Sequence, residues 1–189
     1  MVASDVKPDP PSPDEIKELR DSNKKLRDNA ARLTRALRGE HDNVRDVTFY
    51  YDPTSPRGHA QNGFLLYVGT AKATPPWLRL RIQYYGDSWL FIQKYIFKID
   101  GVRAEITPSE VERDNYTDVW EWWDESVSTE HLRIARAVAD SKETILRYEG
   151  RQYYRDRTIS ATEKKALARI LEAYGAMVTA STLPVEDPK

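Results

Sequence analysis

Residues 77–85 read WLRLRIQYY, and this stretch decides the fold. Large apolar side chains occupy every second position, which is the pattern of a half-buried β-strand. The Gly-Asp pair at 86–87 predicts a tight turn, after which residues 89–99 run back as a second strand. The Asp-Gly pair at 100–101 is a strong hairpin signal and leads to a third strand at 102–106. The stretch therefore predicts a three-stranded antiparallel meander.

Further strands and two helices are predicted on both sides of this meander. One helix is expected at about 129–139, and another begins at a capping box on Ser160 and stops at Gly175. Strands and helices do not alternate as βαβ units, so the sheet is expected to be mostly antiparallel. The predicted fold class is α+β: a mostly antiparallel curved β-sheet or β-sandwich with two packed helices in the second half of the chain. The remaining predicted strands are 47–51, 64–68, 118–127, 144–148 and 152–157.

The N-terminal segment divides into a tether and a long helix. Residues 1–12 are rich in proline, which predicts an extended, disordered tether. Ser12, Pro13 and Glu15 form a capping box that begins a helix predicted to end at Gly39. The apolar residues of this helix are spaced alternately by three and four, which is a heptad with a narrow seam. The seam residues are Ile16, Leu19, Asn23, Leu26, Ala30, Leu33 and Leu37.

Two interpretations of the heptad seam stay open at this point. In the first, the seam pairs with a second copy as a homodimeric coiled coil, and Asn23 at an a position fixes the register. In the second, the seam docks on the domain of its own chain. The predicted organisation is a tether at 1–12, a heptad helix at 13–39, a β-rich globular domain at 44–177 and a disordered tail at 178–189.

The composition excludes several classes of function. The chain has 189 residues, with 29 Lys and Arg against 30 Asp and Glu, for a formal net charge of −1. A domain built mainly to bind nucleic acid would be basic, so nucleic acid is disfavoured as the partner. Cysteine is absent and the three histidines are far apart, so neither a metal site nor a cofactor is predicted. No apolar run reaches the roughly 18 residues of a membrane span, so membrane contact is expected only through an anchor outside this sequence.

No residue is predicted to be catalytic. The Gly-x-Ser-x-Gly nucleophile elbow is missing, and His131 is expected in the first turn of an exposed helix. Residues 110–125 are acidic, which would suit glycoside hydrolysis or a hard cation. Their spacing matches no calcium loop, and a solvated acidic loop is the commoner explanation. We therefore expect a protein that is not an enzyme.

Three tryptophans lie within four residues of the strand predicted at 118–127. Trp120 and Trp122 share one face of that strand, whereas Trp123 takes the other. An exposed indole stacks on a sugar ring or anchors a protein interface, so Trp120 and Trp122 are candidate binding residues. The alternative is that all three tryptophans belong to the core.

The second candidate site is the hairpin predicted around Gly150, which carries four arginines and three tyrosines. Guanidinium groups grip phosphates and tyrosine rings stack on bases, so this hairpin would bind phosphate or a nucleic-acid strand. The alternative is that Glu149 and Asp156 neutralise the arginines on the surface of the sheet. The candidate binding residues are Arg147, Arg151, Arg155 and Arg157.

Five short stretches also carry a likeness to known sequences. They are WLRLRIQYY at 77–85, WLFI at 89–92, IDG at 99–101, RYEG at 147–150 and DRTIS at 156–160. Together they resemble an uncharacterised bacterial β-rich domain family of exported or lipid-anchored proteins, over about residues 77–175. The resemblance carries no activity and no catalytic residues. It implies that a signal segment is removed before Val2 and that the proline-rich tail tethers the domain to a membrane.

These observations favour a non-enzymatic binding or structural module, placed in the bacterial envelope rather than the cytoplasm. The N-terminal helix would serve oligomerisation or spacing, and the partner would be a protein or a glycan. One alternative is a nucleic-acid or phosphate binder that uses the hairpin at 147–157. Another is a carbohydrate-binding or carbohydrate-active protein that uses the tryptophans at 120–123.

Overall fold

The computed structural model describes residues 12–184, which fold into three helices and ten strands. The helices are α1 (Pro13–Arg35), α2 (Thr129–Asp140) and α3 (Ala161–Ser181). The first five strands are β1 (Arg38–Asp42), β2 (Val47–Tyr51), β3 (Gly63–Ala71), β4 (Thr74–Gly86) and β5 (Lys94–Ile99). The last five are β6 (Val102–Ile106), β7 (Glu112–Asn115), β8 (Val119–Ser126), β9 (Thr144–Glu149) and β10 (Tyr154–Thr158).

The strands form two antiparallel sheets, which confirms the predicted α+β class. One sheet has six strands in the order β1-β2-β3-β4-β8-β7, and the other has four in the order β10-β9-β5-β6. The stretch at 77–85 lies in β4, at the centre of the larger sheet. Leu80 and Ile82 are fully buried on the inner face of that sheet, as the alternation predicts.

A single apolar core joins the two sheets and the helices α2 and α3. The rings of Phe64 and Phe97 meet at 5.2 Å between centroids, and Tyr95 meets Trp123 at 6.1 Å. Each pair joins a strand of the six-stranded sheet to a strand of the four-stranded sheet. Burial of each such side chain contributes about 1.5–3 kcal/mol.

The predicted three-stranded meander is wrong. β4 pairs with β3 and β8, whereas β5 pairs with β6 and β9 in the other sheet. Only the hairpin at Asp100 and Gly101 forms as predicted, with φ of 45° and 90° at these residues. Alternating hydrophobicity predicts a strand but not its partner, and β8 takes the edge of β4 where the returning strand was expected.

Several helix boundaries also differ from the prediction. Both capping boxes, on Ser12 and Ser160, are present. α1 ends at Arg35, and Gly39 lies in β1, before the predicted start of the domain at 44. α3 continues through Gly175 to Ser181, because buried Met177 keeps it packed on the domain. Residues 178–181 are therefore helical, while the predictions for 1–11 and 185–189 lie outside the described residues.

The heptad seam of α1 behaves differently in its two halves. In the second half Ala30 is buried, Leu33 is half-buried, and Leu37 beyond the helix packs against the core. α1 contacts α3, and Arg27 donates a hydrogen bond to the carbonyl of Pro184, just past the end of α3. The first half of α1 therefore extends beyond α3. Among its seam side chains Asn23 is half-buried, whereas the apolar ones are exposed: Ile16 by 37%, Leu19 by 60% and Leu26 by 39%.

No helix between residues 12 and 184 combines the length and the hydropathy needed to cross a membrane.

Candidate binding cleft

Trp120 and Trp122, the Trp pair, lie on the outer face of the six-stranded sheet, whereas Trp123 is buried in the core. Both residues of the pair are half-buried, because residues 52–62, here called the strap, cross over this face between β2 and β3. The His59 ring of the strap lies 4.4 Å from the ring of Trp122 and 6.1 Å from that of Trp120. A side chain of the same chain thus occupies the face on which a ligand would stack.

The strap is fixed by buried hydrogen bonds. The Asp52 carboxylate is fully buried and accepts two hydrogen bonds from Arg169 of α3, at 2.6 and 3.0 Å. Burial alone would raise the pKa of Asp52, but the hydrogen bonds from Arg169 and from the hydroxyl and backbone N–H of Thr54 together lower it. Further along, Nε2 of Gln83 donates to the carbonyls of Gly58 and Gln61 at 2.9 and 2.6 Å.

His59 is held in its neutral form above the Trp pair. Its Nδ1 lies 2.8 Å from Nη2 of Arg81, so the imidazole nitrogen accepts a hydrogen bond from the guanidinium group. Burial lowers the pKa of His59, and the positive charge of Arg81 lowers it further. A neutral imidazole can remain packed beside the guanidinium and the two indoles.

The neighbouring polar groups of this outer face also find partners within the chain. The Tyr67 hydroxyl donates to the Asp124 carboxylate at 2.7 Å, and Nε of Arg79 donates to the same carboxylate at 2.8 Å. The ring of Tyr51 stacks on Tyr67 with centroids 4.7 Å apart, and burial raises the pKa of Tyr51 to about 12. The face is a packed surface that bonds Tyr67, Arg79 and Asp124 to one another. Beside them, the Trp120 indole N–H and Nε of Arg81 are buried without a hydrogen-bond partner among residues 12–184.

In the arginine hairpin, two of the four predicted binding residues form close ion pairs. Arg147 makes two hydrogen bonds of 2.7 Å to Asp156, which raise the pKa of the guanidinium group. Arg157 makes two to Glu163, at 2.9 and 2.7 Å, and its Nε donates to the Tyr148 hydroxyl at 2.8 Å. The charges of Arg147 and Arg157 are therefore compensated inside the chain.

The other two arginines are available to a ligand. Arg155 has Asp87 as its acidic neighbour, 3.9 Å away, and both side chains are well exposed. Arg151 is exposed and makes no ion pair with any residue between 12 and 184. Its backbone N–H donates to the carbonyl of Leu90, which places Arg151 beside the segment that connects the two sheets.

A cleft lies between that connecting segment, residues 87–93 (the linker), and the hairpin of β9 and β10. It consists of three adjoining depressions of about 280, 500 and 200 Å³. Phe91 is 46% exposed, Tyr153 68% and Tyr154 56%. We call this region the aromatic cleft. The aromatic side chains that line it are Tyr84, Tyr85, Trp89, Phe91, Tyr148, Tyr153 and Tyr154.

The linker wall of the cleft is held by one buried carboxylate. Glu121 of β8 is fully buried and accepts backbone N–H groups from Leu90, Phe91 and Ile92 at 2.7, 2.9 and 2.8 Å. Nε of Arg113 donates to the same carboxylate at 3.0 Å. A buried charge requires such compensation, and here the three backbone donors belong to the linker while the compensating positive charge comes from Arg113 of β7.

The linker and the hairpin are also joined directly. Phe91 has a φ of 54°, a left-handed conformation that is uncommon for a bulky residue. A Cβ on Gly150 would lie 2.0 Å from the carbonyl oxygen of Leu90, so the hairpin passes the linker at a distance that only glycine allows. The backbone N–H of Gln93 donates a hydrogen bond to the Glu149 carbonyl at 2.8 Å. These contacts fix the shape of the cleft and present the Phe91 ring to solvent.

The sequence prediction missed Tyr84 and Tyr85, which it gave only as residues of a strand, and also Trp89 and Phe91. It placed Trp89 and Phe91 in a strand paired with β4. Glu121 is the signal that could have found them. Glu121 lies on the same face of β8 as Val119 and Trp123, which is the face toward the core. A carboxylate on that face must have hydrogen-bond partners. In the acidic stretch at 110–125, the carboxylates of Glu121 and Asp124 are both engaged by other groups of the chain.

Within residues 12–184 the structure brings together no three His, Asp or Glu side chains that would hold a metal ion. Comparison with known proteins yields no match: no family model, no curated protein and no solved structure is significantly similar to this chain. The resemblance to a bacterial envelope family stays a prediction. A function for the chain has to be inferred from its own side chains.

Proposed function

We propose that this chain is a non-enzymatic binding module that holds a protein partner in the aromatic cleft. The observation that carries the proposal is where exposed apolar side chains cluster. Nine large ones are exposed between residues 12 and 184, and three of them line the cleft. Three more lie on the first half of α1, and the other three stand apart: Val44 and Tyr116 lie in turns, and Val102 is the first residue of β6. Contiguous exposed apolar surface marks interaction sites, whereas single exposed residues are ordinary.

The composition of the cleft favours a protein partner. Aromatic residues and arginine are the types most enriched at the centres of protein interfaces, where lysine is depleted. The lining carries several aromatic rings and the exposed Arg151 and Arg155, and it includes no lysine. Because Arg147 and Arg157 are paired with acids, the excess positive charge is small, which weighs against a polyphosphate ligand.

A display experiment tests this proposal. A phage library of random twelve-residue peptides is selected against the full chain, and the binding of enriched peptides is measured by fluorescence anisotropy. We expect a double variant, Tyr153→Ala with Tyr154→Ala, to lower their affinity by about tenfold or more. Tyr116→Ala is the matched control, because Tyr116 is 90% exposed in the turn between β7 and β8. If no peptide distinguishes the double variant from the wild type, the proposal is wrong.

The exposed apolar residues on the first half of α1 suggest that the chain also self-associates. We propose that the exposed seam residues Ile16, Leu19 and Leu26 pair with those of a second copy in a short coiled coil. In a parallel pair, Glu15 and Arg20 occupy g and e positions that face each other between the two helices. The second half of the seam is already used within the chain, so about two heptads remain for pairing. A location in the bacterial envelope stays a prediction.

Sedimentation velocity tests the coiled coil. At micromolar concentration we expect the full chain to sediment as a dimer and Leu19→Asp as a monomer, because a charged seam residue cannot be buried between helices. Lys17→Asp is the control, since Lys17 lies off the seam and is exposed. A monomeric wild type contradicts self-association but leaves the proposal for the cleft standing.

A further inference from the structure

β10 forms one edge of the four-stranded sheet, beside the aromatic cleft. It pairs with β9 on one side only, and no strand between residues 12 and 184 pairs with its other side. An uncovered sheet edge carries a row of free backbone donors and acceptors, which a further strand can use. Four of the five residues of β10 are exposed.

The backbone groups that face outward from β10 follow from the bonds at its ends. Gly150 donates to the Tyr153 carbonyl and Ile159 donates to the Thr144 carbonyl, both at 2.9 Å. In an antiparallel pair, the bonds to one neighbour fall on every second residue of a strand. The bonds to β9 therefore fall on the odd-numbered positions. Tyr154, Asp156 and Thr158 direct their N–H and C=O groups away from the sheet.

The charged side chains that would normally protect such an edge are already engaged. Charged residues on an edge strand discourage pairing with another chain. Here Asp156 is paired with Arg147 and Arg157 with Glu163, which leaves Arg155 as the charged residue of β10 with only a distant partner. The depression of about 280 Å³ lies along Arg155, Asp156 and Arg157, so there is open space beside the strand.

We infer that the partner contributes an extended segment that adds to the free edge of β10 as an antiparallel or parallel strand. This inference rests on the aromatic cleft being the binding site. The segment carries apolar or aromatic side chains at alternate positions, because successive side chains of a strand point to opposite sides. One such side chain lies in the depression between Trp89 and Tyr153, and an acidic residue of the segment lies beside Arg155.

Proline substitution at Asp156 tests the mode of binding. Asp156→Pro removes the outward N–H, and proline is tolerated on an edge strand when its nitrogen faces away from the sheet. Asp156→Ala is the matched control, because it also removes the ion pair with Arg147 but keeps the N–H. With a peptide selected on the wild type as the probe, we expect the proline variant to bind about tenfold more weakly than the alanine variant.

A second measurement on the wild-type chain covers the case in which the proline variant does not fold. Methylation of the backbone nitrogens of the selected peptide, one at a time, should weaken binding at every second residue and leave the intervening residues unaffected. Equal binding to both Asp156 variants, or no alternation in the methylation series, overturns strand addition while the cleft remains the site. Failure to select any peptide that depends on Tyr153 and Tyr154 overturns the proposed function itself. Binding of a single-stranded oligonucleotide, with no peptide selected, overturns the inferred class of partner.

Discussion

The Trp pair and the aromatic cleft contain the same kinds of side chain, but the chain covers one and leaves the other open. His59 of the strap packs on the Trp pair, and Asp52 fixes the strap to α3. Phe91, Tyr153 and Tyr154 remain well exposed, although the Arg147 guanidinium lies over one face of the Tyr154 ring, 3.8 Å from its centroid. The difference shows that aromatic and arginine content does not by itself identify a binding surface. What matters is whether a connection of the same chain folds over it.

The arginines of the two regions follow the same division. Arg79 and Arg81 on the outer face are held by Asp124 and His59. In the cleft, Arg151 has no acidic partner among residues 12–184, and Arg155 has a loosely placed one. The predictions below test whether the cleft is a rigid, open site and the Trp pair a covered, structural one.

The largest effect is expected for Glu121→Ala, which removes the carboxylate that holds the linker wall of the cleft. Three backbone N–H groups and Arg113 would lose their buried partner, so the free energy of unfolding should fall by about 3–5 kcal/mol. Urea denaturation followed by fluorescence measures this change. Glu112→Ala, on the exposed edge strand β7, should change stability by less than about 0.5 kcal/mol. Equal effects of the two substitutions would contradict the role assigned to Glu121.

The next effect concerns the contact between the hairpin and the linker. Gly150→Ala would place a methyl group against the Leu90 carbonyl, so the backbone must shift, at a cost of about 1–3 kcal/mol. Gly175→Ala is the opposite control, because nothing lies within 4 Å of its Cβ position in the middle of α3. That substitution should stabilise the chain by up to about 1 kcal/mol. Thermal denaturation compares them, and a neutral Gly150→Ala would mean that the cleft wall is not rigid.

A pair of aromatic substitutions separates the two regions directly. Trp122→Ala should lower stability by about 2 kcal/mol, since a half-buried indole and its contact with His59 are lost, and should leave peptide binding unchanged. Tyr153→Ala should change stability by less than about 0.5 kcal/mol and weaken peptide binding. Chemical denaturation measures the stability of the two variants, and fluorescence anisotropy measures their affinity for the peptide. If Trp122→Ala abolishes binding at unchanged stability, the roles of the two regions are reversed.

The smallest effect is a pH dependence of the strap. His59 has a lowered pKa in the folded chain because of burial and Arg81, with Asp114 and Glu112 opposing that shift. The unfolded chain therefore binds more protons, so the stability that His59 contributes falls as pH falls below the unfolded pKa of about 6.5. We expect the difference in Tm between wild type and His59→Gln to shrink from pH 7.5 to pH 5. A difference that does not change with pH would show that His59 is not held neutral over the Trp pair.

Much of the local structure follows from the sequence alone. Capping boxes, the alternation in β4 and β8, and the Asp-Gly turn depend on residues within a few positions of each other, so local physics specifies them. The alternation of side chains along β8 also predicts that Trp123 lies on the opposite face from the Trp pair, and the structure shows this arrangement. The hairpin that carries Tyr153, Tyr154 and the exposed arginines was likewise predicted, which is about half of the candidate site.

The rest was decided by contacts between distant parts of the chain. The strap covers the Trp pair because Asp52 meets Arg169, 117 residues away, and the linker follows its path because Glu121 binds Leu90, 31 residues away. A buried carboxylate must have hydrogen-bonding or charged partners, but the local sequence around it does not indicate which residues these are. The same applies to α1, whose seam has a regular spacing throughout and is docked in one half and largely exposed in the other because α3 ends beside Arg27. The sequence by itself determined most of the strands and helices, although it ran α1 into β1, did not indicate β7 and gave the linker as strand. The tertiary structure alone decided which aromatic surface stays exposed.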